Sequence, residues 1–375
     1  MAKKDVALSI LSAIHAENHV YQLILPVAMP MISEEYGLTY FSIGLLTAFF
    51  SFPFALLQIL FGSLSTRMDR KVLLALGLFL SAAAFLLINF TYDIRALAVL
   101  LLLAGVGGST YHPVGIPFIS ELFPDRLGQS LGFHQAGGAV GSFVAPIAVG
   151  AVAALLGWRS AFLTMAVLGF ALTILLWISL DAPTRIEAVS TKENINAIRP
   201  VLLLILAMTA AFLGLRGLTP FAVKYFEMDK GVTYAEATIL FSLLQVAGIF
   251  SGPVCGRLSD AFGRKRIIYI LVVAEVASLL SITLTQGSPL VLGCLVFGFA
   301  TFGLLATSDA LFADIVPSEL LGTVIGFNLT VSFGTSVIIP PLLGGMIDFY
   351  GFNYSFIALS AIVPLSIILL MKAKV

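Results

Sequence analysis

Four histidines occur in this chain of 375 residues, His15, His19, His112 and His134, and all of them sit in apolar runs of the first half. Imidazole changes its charge near neutral pH, which suits a group that takes and releases a proton during a cycle. On a helix, His15, Asn18, His19 and Gln22 fall at i, i+3, i+4 and i+7 and make one polar stripe. Polar groups within apolar spans are costly unless they face partners or water, so the stripe is expected to line a cavity. Glu17 lies about 200° around from His15 at ~3.6 residues per turn, and so either contacts a neighbouring helix or serves a separate purpose. The competing reading is that each imidazole merely hydrogen-bonds between helices. No carboxylate or cysteine cluster accompanies them, so no metal site is expected. In the second half, Arg216 in "LGLRGLTPF" and Asp309 in "LLATSDALF" are the charged residues inside apolar runs that most invite a function. A guanidinium fork matches a carboxylate or phosphonate, and a buried carboxylate is a candidate proton carrier.

These residues need elements that hold them, and composition says what surrounds those elements. The chain is 59% hydrophobic and 11% charged, with a mean hydropathy of +1.05. A soluble domain is about one-quarter charged, so the outer solvent must be lipid. The net charge of zero argues against nucleic acid as a partner. Cys255 and Cys294 lie in separate apolar runs without metal-ligand spacing and read as buried free thiols. A bilayer core takes about 20 apolar residues as helix. Charged and Gly/Pro breaks give twelve such runs, near 6–32, 39–64, 72–91, 96–120, 128–156, 159–180, 200–226, 233–258, 267–286, 289–313, 321–348 and 353–371. The first, which follows "MAKK", continues without a small-residue cleavage site and reads as a retained span rather than a signal peptide.

Lysine and arginine set the orientation. Fifteen fall on one side: Lys3, Lys4, Arg67, Arg70, Lys71, Arg126, Arg185, Lys192, Arg199, Arg257, Arg264, Lys265, Arg266, Lys372 and Lys374. Only Arg95, Arg159, Lys224 and Lys230 fall on the other. Both termini are therefore expected in the cytoplasm, for a multi-pass protein of the plasma membrane. Residues 1–180 form one six-helix bundle, 181–199 a cytoplasmic linker and 200–375 a second bundle. Counting ~1.5 Å per residue from the basic ends, His15 and His112 are roughly 13 Å deep and His134 about 9 Å, so three imidazoles can converge on one layer. Pro113, beside His112, removes a backbone donor and is expected to kink the fourth span.

The two halves repeat. "GLTY" from Gly37 returns as "GVTY" from Gly231, "GSLS" from Gly62 as "GRLS" from Gly256, and Arg70-Lys71 as Arg264-Lys265. "LGQSLGF" from Leu127 returns as "LGTVIGF" from Leu321, Pro146 as Pro340, Gly150 as Gly344, Gly157 as Gly351 and Phe162 as Phe356, every pair 194 positions apart. In this register Arg216 takes the place of Gln22 and should face the same central cavity, and Asn328 replaces His134. Arg216 then either binds the negative group of a substrate or pairs with Asp309 or Glu17. Glu275 reads as peripheral, and Gln135, Gln58 and Gln245 are further cavity candidates.

Parallel six-helix repeats joined by a cytoplasmic linker describe a transporter with a midplane site. At this point the chain resembles the major facilitator superfamily over essentially its whole length: an all-α membrane protein of twelve transmembrane helices in two pseudo-symmetric six-helix bundles. "GRLSDAFGRKR", Gly256 to Arg266, resembles that superfamily's cytoplasmic loop motif, with Ala261 replacing its first basic residue. The first-half copy "GSLSTRMDRK" departs further, with Thr66 at the Asp position and Asp69 at the second Gly position, which is Gly263 in the second half. Such a loop reads as a latch. Asp260 would accept from a helix N-terminus across the interface, while Arg264 would pair with Asp314, and Arg70 with Glu121. The plainer reading is that these bases, Lys71 and Lys265 included, only set topology.

The fifth span's "GGAVGSFVAPIAVG", with Gly137, Gly138, Gly141, Pro146 and Gly150, resembles the superfamily's antiporter element, and Pro340, Pro341, Gly344 and Gly345 repeat it in "PPLLGG". Small-residue helix packing accounts for the same glycines. Within the superfamily the chain is similar to the fosmidomycin-resistance branch, through His15 with Asn18, "YHP" at Tyr111–Pro113, and Gln135 leading into Gly137-Gly138. That likeness implies export of a small anionic compound or drug, driven by a proton gradient, with no cofactor, no chemistry on the substrate, and a monomer in the bilayer. Uptake of an organic anion by symport and a membrane-embedded sensor or enzyme built on the histidines are the alternatives.

Overall fold

The computed structural model describes residues 2–180 and 201–373. The expected linker, with Arg185, Lys192 and Arg199, lies outside the described residues, as does Lys374. The chain divides into two compact units, Met1–Gly37 with Leu46–Val189, and Leu38–Leu45 with Ser190–Val375.

Long apolar runs leave backbone amides no partner in lipid except their own carbonyls, so they become helices. In chain order the first half forms α1 (Ala2–Tyr36), α2 (Tyr40–Ser65), α3 (Arg70–Ile88), α4 (Ile94–Gly108), α5 (Tyr111–Leu122), α6 (Leu127–Leu156) and α7 (Trp158–Ser179). The second half forms α8 (Leu202–Ala211), α9 (Leu213–Leu218), α10 (Ala222–Met228), α11 (Tyr234–Phe262), α12 (Arg264–Leu284), α13 (Gly287–Ile315), α14 (Ser318–Ile362) and α15 (Leu365–Lys372). Among the described residues nine stretches are long and apolar enough to cross a membrane, and the bent pair α8 with α9–α10 makes ten. One of the nine, Val324–Lys372, is interrupted at Gly351 (φ 77°, ψ 173°) and so comprises two passes. The twelfth expected pass falls on α1, which carries His15, Glu17, Asn18, His19 and Gln22 within its length.

Turns follow the repeat. Gly37 and Gly231 have φ of 61° and 67°, and Gly157 and Gly351 have 84° and 77°, backbone that side chains with a Cβ adopt only under strain. At Gly263 the second half uses a glycine with φ 92°, where the first half has Asp69. Asp69 takes ordinary extended backbone and caps α3 by accepting from the Lys71 amide at 2.8 Å. The fourth span breaks at Ser109–Thr110 rather than at Pro113, which sits in the first turn of α5, where a missing amide hydrogen costs nothing.

Each unit buries aromatic rings at the repeated phenylalanine. Phe162 stacks edge-on against Phe85 (5.1 Å), itself against Tyr21 (4.6 Å), and Phe356 packs against Tyr225 (4.8 Å). Leu56, Leu76, Ile174, Ile270, Leu292 and Leu342 are exposed, as a lipid-facing surface requires. The first turns of α2 group with the second unit because Asp348 accepts from the Tyr40 and Phe41 amides at 2.8 Å each. Backbone contact reinforces this: a Cβ on Gly44 would meet the Pro340 carbonyl at 2.2 Å, and one on Gly344 the Tyr40 carbonyl at 2.1 Å.

Candidate functional site

The first unit gathers all four imidazoles. The His15 ring lies 4.1 Å from that of His134, almost parallel at 9°. It lies 4.8 Å from the His19 ring and 5.3 Å from the His112 ring. His15 and His19 come from successive turns of α1, His112 from the first turn of α5, and His134 from α6. Their approach depends on glycine. A Cβ on Gly138 would meet the His15 ring at 2.6 Å, one on Gly137 the Ser12 carbonyl at 2.6 Å, and one on Gly141 the Ala16 carbonyl at 2.2 Å. The glycines of α6 thus seat α1 directly on the α6 backbone.

Hydrogen bonds orient the rings. His15 Nδ1 is 2.9 Å from the His134 carbonyl, which can only accept, so Nδ1 carries the hydrogen. His19 Nδ1 is 3.0 Å from Ser142 Oγ, and the two Nε2 atoms of His15 and His19 face each other at 3.2 Å. Tyr111 donates to the Leu11 carbonyl at 2.6 Å and lies 3.4 Å from His134 Nδ1, while His134 Nε2 has no partner. Asn18 donates to the Gly108 carbonyl and accepts from Gln22, both at 2.9 Å. Much of the stripe is therefore a hydrogen-bonded network within the unit rather than bare cavity wall. Although no metal was expected, the ligating atoms of His15, His19 and His112 all lie within 4.8 Å of one another. Gln135 does not join them: it is exposed on α6, one residue on from buried His134 and so about 100° around the helix.

In the second unit Arg216 lies on α9, just past the break at Phe212 where the span bends by 43°. It is half-buried, and its contacts are Ser332 Oγ at 3.5 Å and the Phe333 ring at 4.9 Å. The ion pair with Asp309 does not form: Arg216 has no carboxylate partner among the described residues of its unit, and Asp309 is exposed on α13. Buried Asn328 and Ser336 of α14 flank Ser332 at four-residue spacing, and Asn328 Oδ1, Ser336 Oγ and Arg216 Nε have no hydrogen-bond partner. Ser332 and Ser336 were not foreseen, though their spacing from Asn328 is a legible helical stripe; so is that of Ser142, eight residues after His134.

Two further carboxylates are buried away from these groups. Glu17 is 2% exposed and Glu275, far from peripheral, is 0% exposed, with the hydroxyls of Tyr21 and Thr301 their respective neighbours.

The ends that carry the basic residues are braced in each unit. Arg70, at the start of α3, pairs with Glu121 at the end of α5. Arg264, at the start of α12, donates to Asp314 at 2.9 Å and to Ser259 at 2.7 Å. Within the second unit the Asp260 carboxylate also pairs with Arg264, four residues on. Lys71 lies over the Trp177 ring, and Lys265 donates to the Ala373 carbonyl. A Cβ on Gly62 would make only ordinary contact with Pro113 at 3.7 Å and one on Gly256 would meet nothing within 4 Å, so neither is needed for close packing in its unit. At the other end of the first unit, Glu35 receives a two-pronged bond from Arg159, at 2.6 and 2.7 Å, and a third from Trp158. The Arg159 guanidinium holds the Glu35 carboxyl below its usual range.

Comparison with known proteins follows this architecture. The family model described as the Major Facilitator Superfamily matches residues 18–332 and 204–374. The chain is 24% identical over 367 residues to multidrug resistance protein MdtG of Yersinia enterocolitica, covering 92% of this chain and 86% of that protein. It is 29% identical over 158 residues to a probable L-galactonate transporter of Escherichia coli, a match spanning 42% of this chain and 35% of that relative. The crystal structure of a bacterial homologue of the human lysosomal transporter Spinster, inward-facing and occupied, superposes with a TM-score of 0.88 at 17% identity, covering 98% and 96% of the two chains. That likeness is one of fold. With twelve passes in two repeated halves and a family match spanning both, the chain belongs to the Major Facilitator Superfamily and is a multi-pass membrane transporter, not an enzyme.

Proposed function

We propose that this transporter moves small organic anions by alternating access, exporting them in exchange for protons. One observation carries the anion: a half-buried guanidinium, Arg216, with no carboxylate to neutralise it among the described residues of its unit. A charge in that setting calls for a counter-ion, and a carboxylate, sulfonate or phosphonate on the substrate supplies one with matching fork geometry. Unpartnered Asn328 Oδ1 and Ser336 Oγ give hydroxyl or amide groups of the same substrate a place to bond. The similarity to a probable L-galactonate transporter agrees with an organic anion, and that to a multidrug resistance protein agrees with export. Asp309, an exposed carboxylate within a span, is the proposed proton carrier. Import by symport is the second reading, favoured by the same galactonate likeness, because one site serves either direction.

The test uses proteoliposomes with an imposed pH gradient and a panel of radiolabelled sugar acids and alkylphosphonates. Arg216→Ala should weaken apparent affinity by roughly 10- to 100-fold, the loss expected for hydrogen bonds to a charged group. Arg216→Lys should restore part of it. Asp309→Asn should leave exchange of anion for anion intact and abolish the response to the gradient. Unchanged affinity in Arg216→Ala would dismiss the anion reading, and a gradient response surviving in Asp309→Asn would dismiss its role as carrier.

A further inference from the structure

We propose that His15, His19 and His112 form a binding site for a divalent first-row transition-metal ion of the Zn²⁺ class, in the first unit and independent of the anion site at Arg216. Three features support it. The first is distance. A tetrahedral ion with metal–nitrogen bonds of about 2.0–2.1 Å sets its nitrogen ligands about 3.3–3.4 Å apart. The His15 and His19 Nε2 atoms already stand 3.2 Å apart, and the His112 nitrogen lies within 4.8 Å of both ligating atoms. His112 makes no hydrogen bond among the described residues and meets the other two rings edge-on, at 5.3 and 6.0 Å, so a small swing brings it into place.

The second feature is the outer shell. Metal-ligating imidazoles characteristically donate their other ring N–H to a carbonyl, carboxylate or water. His15 does so to the His134 carbonyl at 2.9 Å, leaving its Nε2 lone pair aimed into the cluster. Its ring cannot turn away, held between the His134 ring at 4.1 Å and the Gly138 backbone. Ser142 Oγ sits 3.0 Å from His19 Nδ1 and 3.1 Å from the Gly138 carbonyl. Without an ion, Ser142 donates to His19 Nδ1, and His19 donates its Nε2 hydrogen to His15. With an ion, Ser142 donates to Gly138 and accepts from His19 Nδ1–H, and His19 Nε2 is freed to ligate. The change is a tautomer shift that strands no polar atom.

The third feature is chemistry and access. Three neutral imidazoles suit Zn²⁺, Co²⁺, Ni²⁺ or Cu²⁺ and disfavour Mg²⁺ and Ca²⁺, which prefer oxygen ligands. His19 and His112 are only half-buried, so an ion can reach them, and a fourth coordination position is left for water. Two ligands ride on α1 and one on α5, just beyond the break at Ser109–Thr110, so a bound ion ties these helices together and slows transport.

The test is Co²⁺ titration of the full-length protein, purified in detergent without a polyhistidine tag. We expect the ligand-field bands of tetrahedral, nitrogen-ligated Co²⁺ to saturate at one equivalent and to be displaced by Zn²⁺. Zn²⁺ but not Mg²⁺ should raise the melting temperature of the wild type, a readout that needs no variant. His19→Gln and His112→Gln should abolish the bands, and Ser142→Ala should weaken binding about 10- to 100-fold, as lost outer-shell partners do. No band at one equivalent would overturn the site and leave the His15–His19 contact a simple hydrogen bond. Bands and Zn²⁺ stabilisation undiminished in both histidine variants would place the ion elsewhere and overturn it equally. Neither readout depends on Arg216 or on an anion, so its failure is separable from failure of the transport reading.

Discussion

Adding one methyl group at Gly138 tests how the histidines are held. An alanine Cβ there would stand 2.6 Å from His15 Cε1, 2.8 Å from Nδ1 and 2.9 Å from Nε2. Ordinary contact needs about 3.5 Å, so the ring or the α1–α6 spacing must give by nearly 1 Å. The ring has no room, because His134 stacks on it and its Nδ1 is bonded to a carbonyl. Overpacking of this kind costs about 1–3 kcal/mol. Helix propensity works in the opposite direction by up to about 1 kcal/mol, so the comparison is made with Gly132→Ala on the same helix, where a Cβ meets nothing within 4 Å. The propensity term cancels between the two, leaving the overpacking alone. Thermal unfolding in detergent should place Gly138→Ala several degrees below Gly132→Ala, at about 2–4 °C per kcal/mol for a chain of 150–250 residues and somewhat less for a longer one. Co²⁺ binding should weaken in the former only. A Gly138 variant as stable as the Gly132 variant would refute the claim that glycine at this position makes room for the ring.

The brace at the basic end of the second unit predicts charge complementation. Arg264→Asp or Asp314→Arg alone should lower flux up to about fivefold, the worth of a half-exposed pair, and the double exchange should restore it. Normal flux in both single variants with intact membrane insertion would mean that these residues only set topology. Glu35 gives a pH signature. Its folded pKa is depressed by Arg159, so its contribution is present above the unfolded value of about 4.5 and is lost as pH falls through the folded one. Wild type should therefore melt above Glu35→Gln at pH 6, by less than about 1 kcal/mol because the carboxylate is 36% exposed, and the two should converge in acid. A gap that persists undiminished well below pH 4.5 would contradict this.

Much of this molecule is a local property of the chain. Apolar runs with so few charges can satisfy their backbones only as membrane helices, and a register of 194 held through Gly37 and Gly231, Gly157 and Gly351, and Phe162 and Phe356 makes the halves equivalent. Periodicity alone puts His15, Asn18, His19 and Gln22 on one face, and the lone charges of the second half were visible as exceptions to an apolar pattern.

What periodicity cannot supply is the partner across the helix. That Gly138 is the floor beneath His15, that Ser142 serves His19, and that Glu275 is wholly buried depend on which α6, α12 and α13 faces meet their neighbours, and residue spacing along one helix carries no record of another's rotation. The same holds for Asp260, which pairs with Arg264 across the turn at Gly263, and for Arg216, for which the sequence left a substrate anion and a carboxylate both open and which packing places against a serine and a phenylalanine. Side-chain type and order along the chain are local quantities; contact between imidazoles 119 residues apart is decided only when the helices pack.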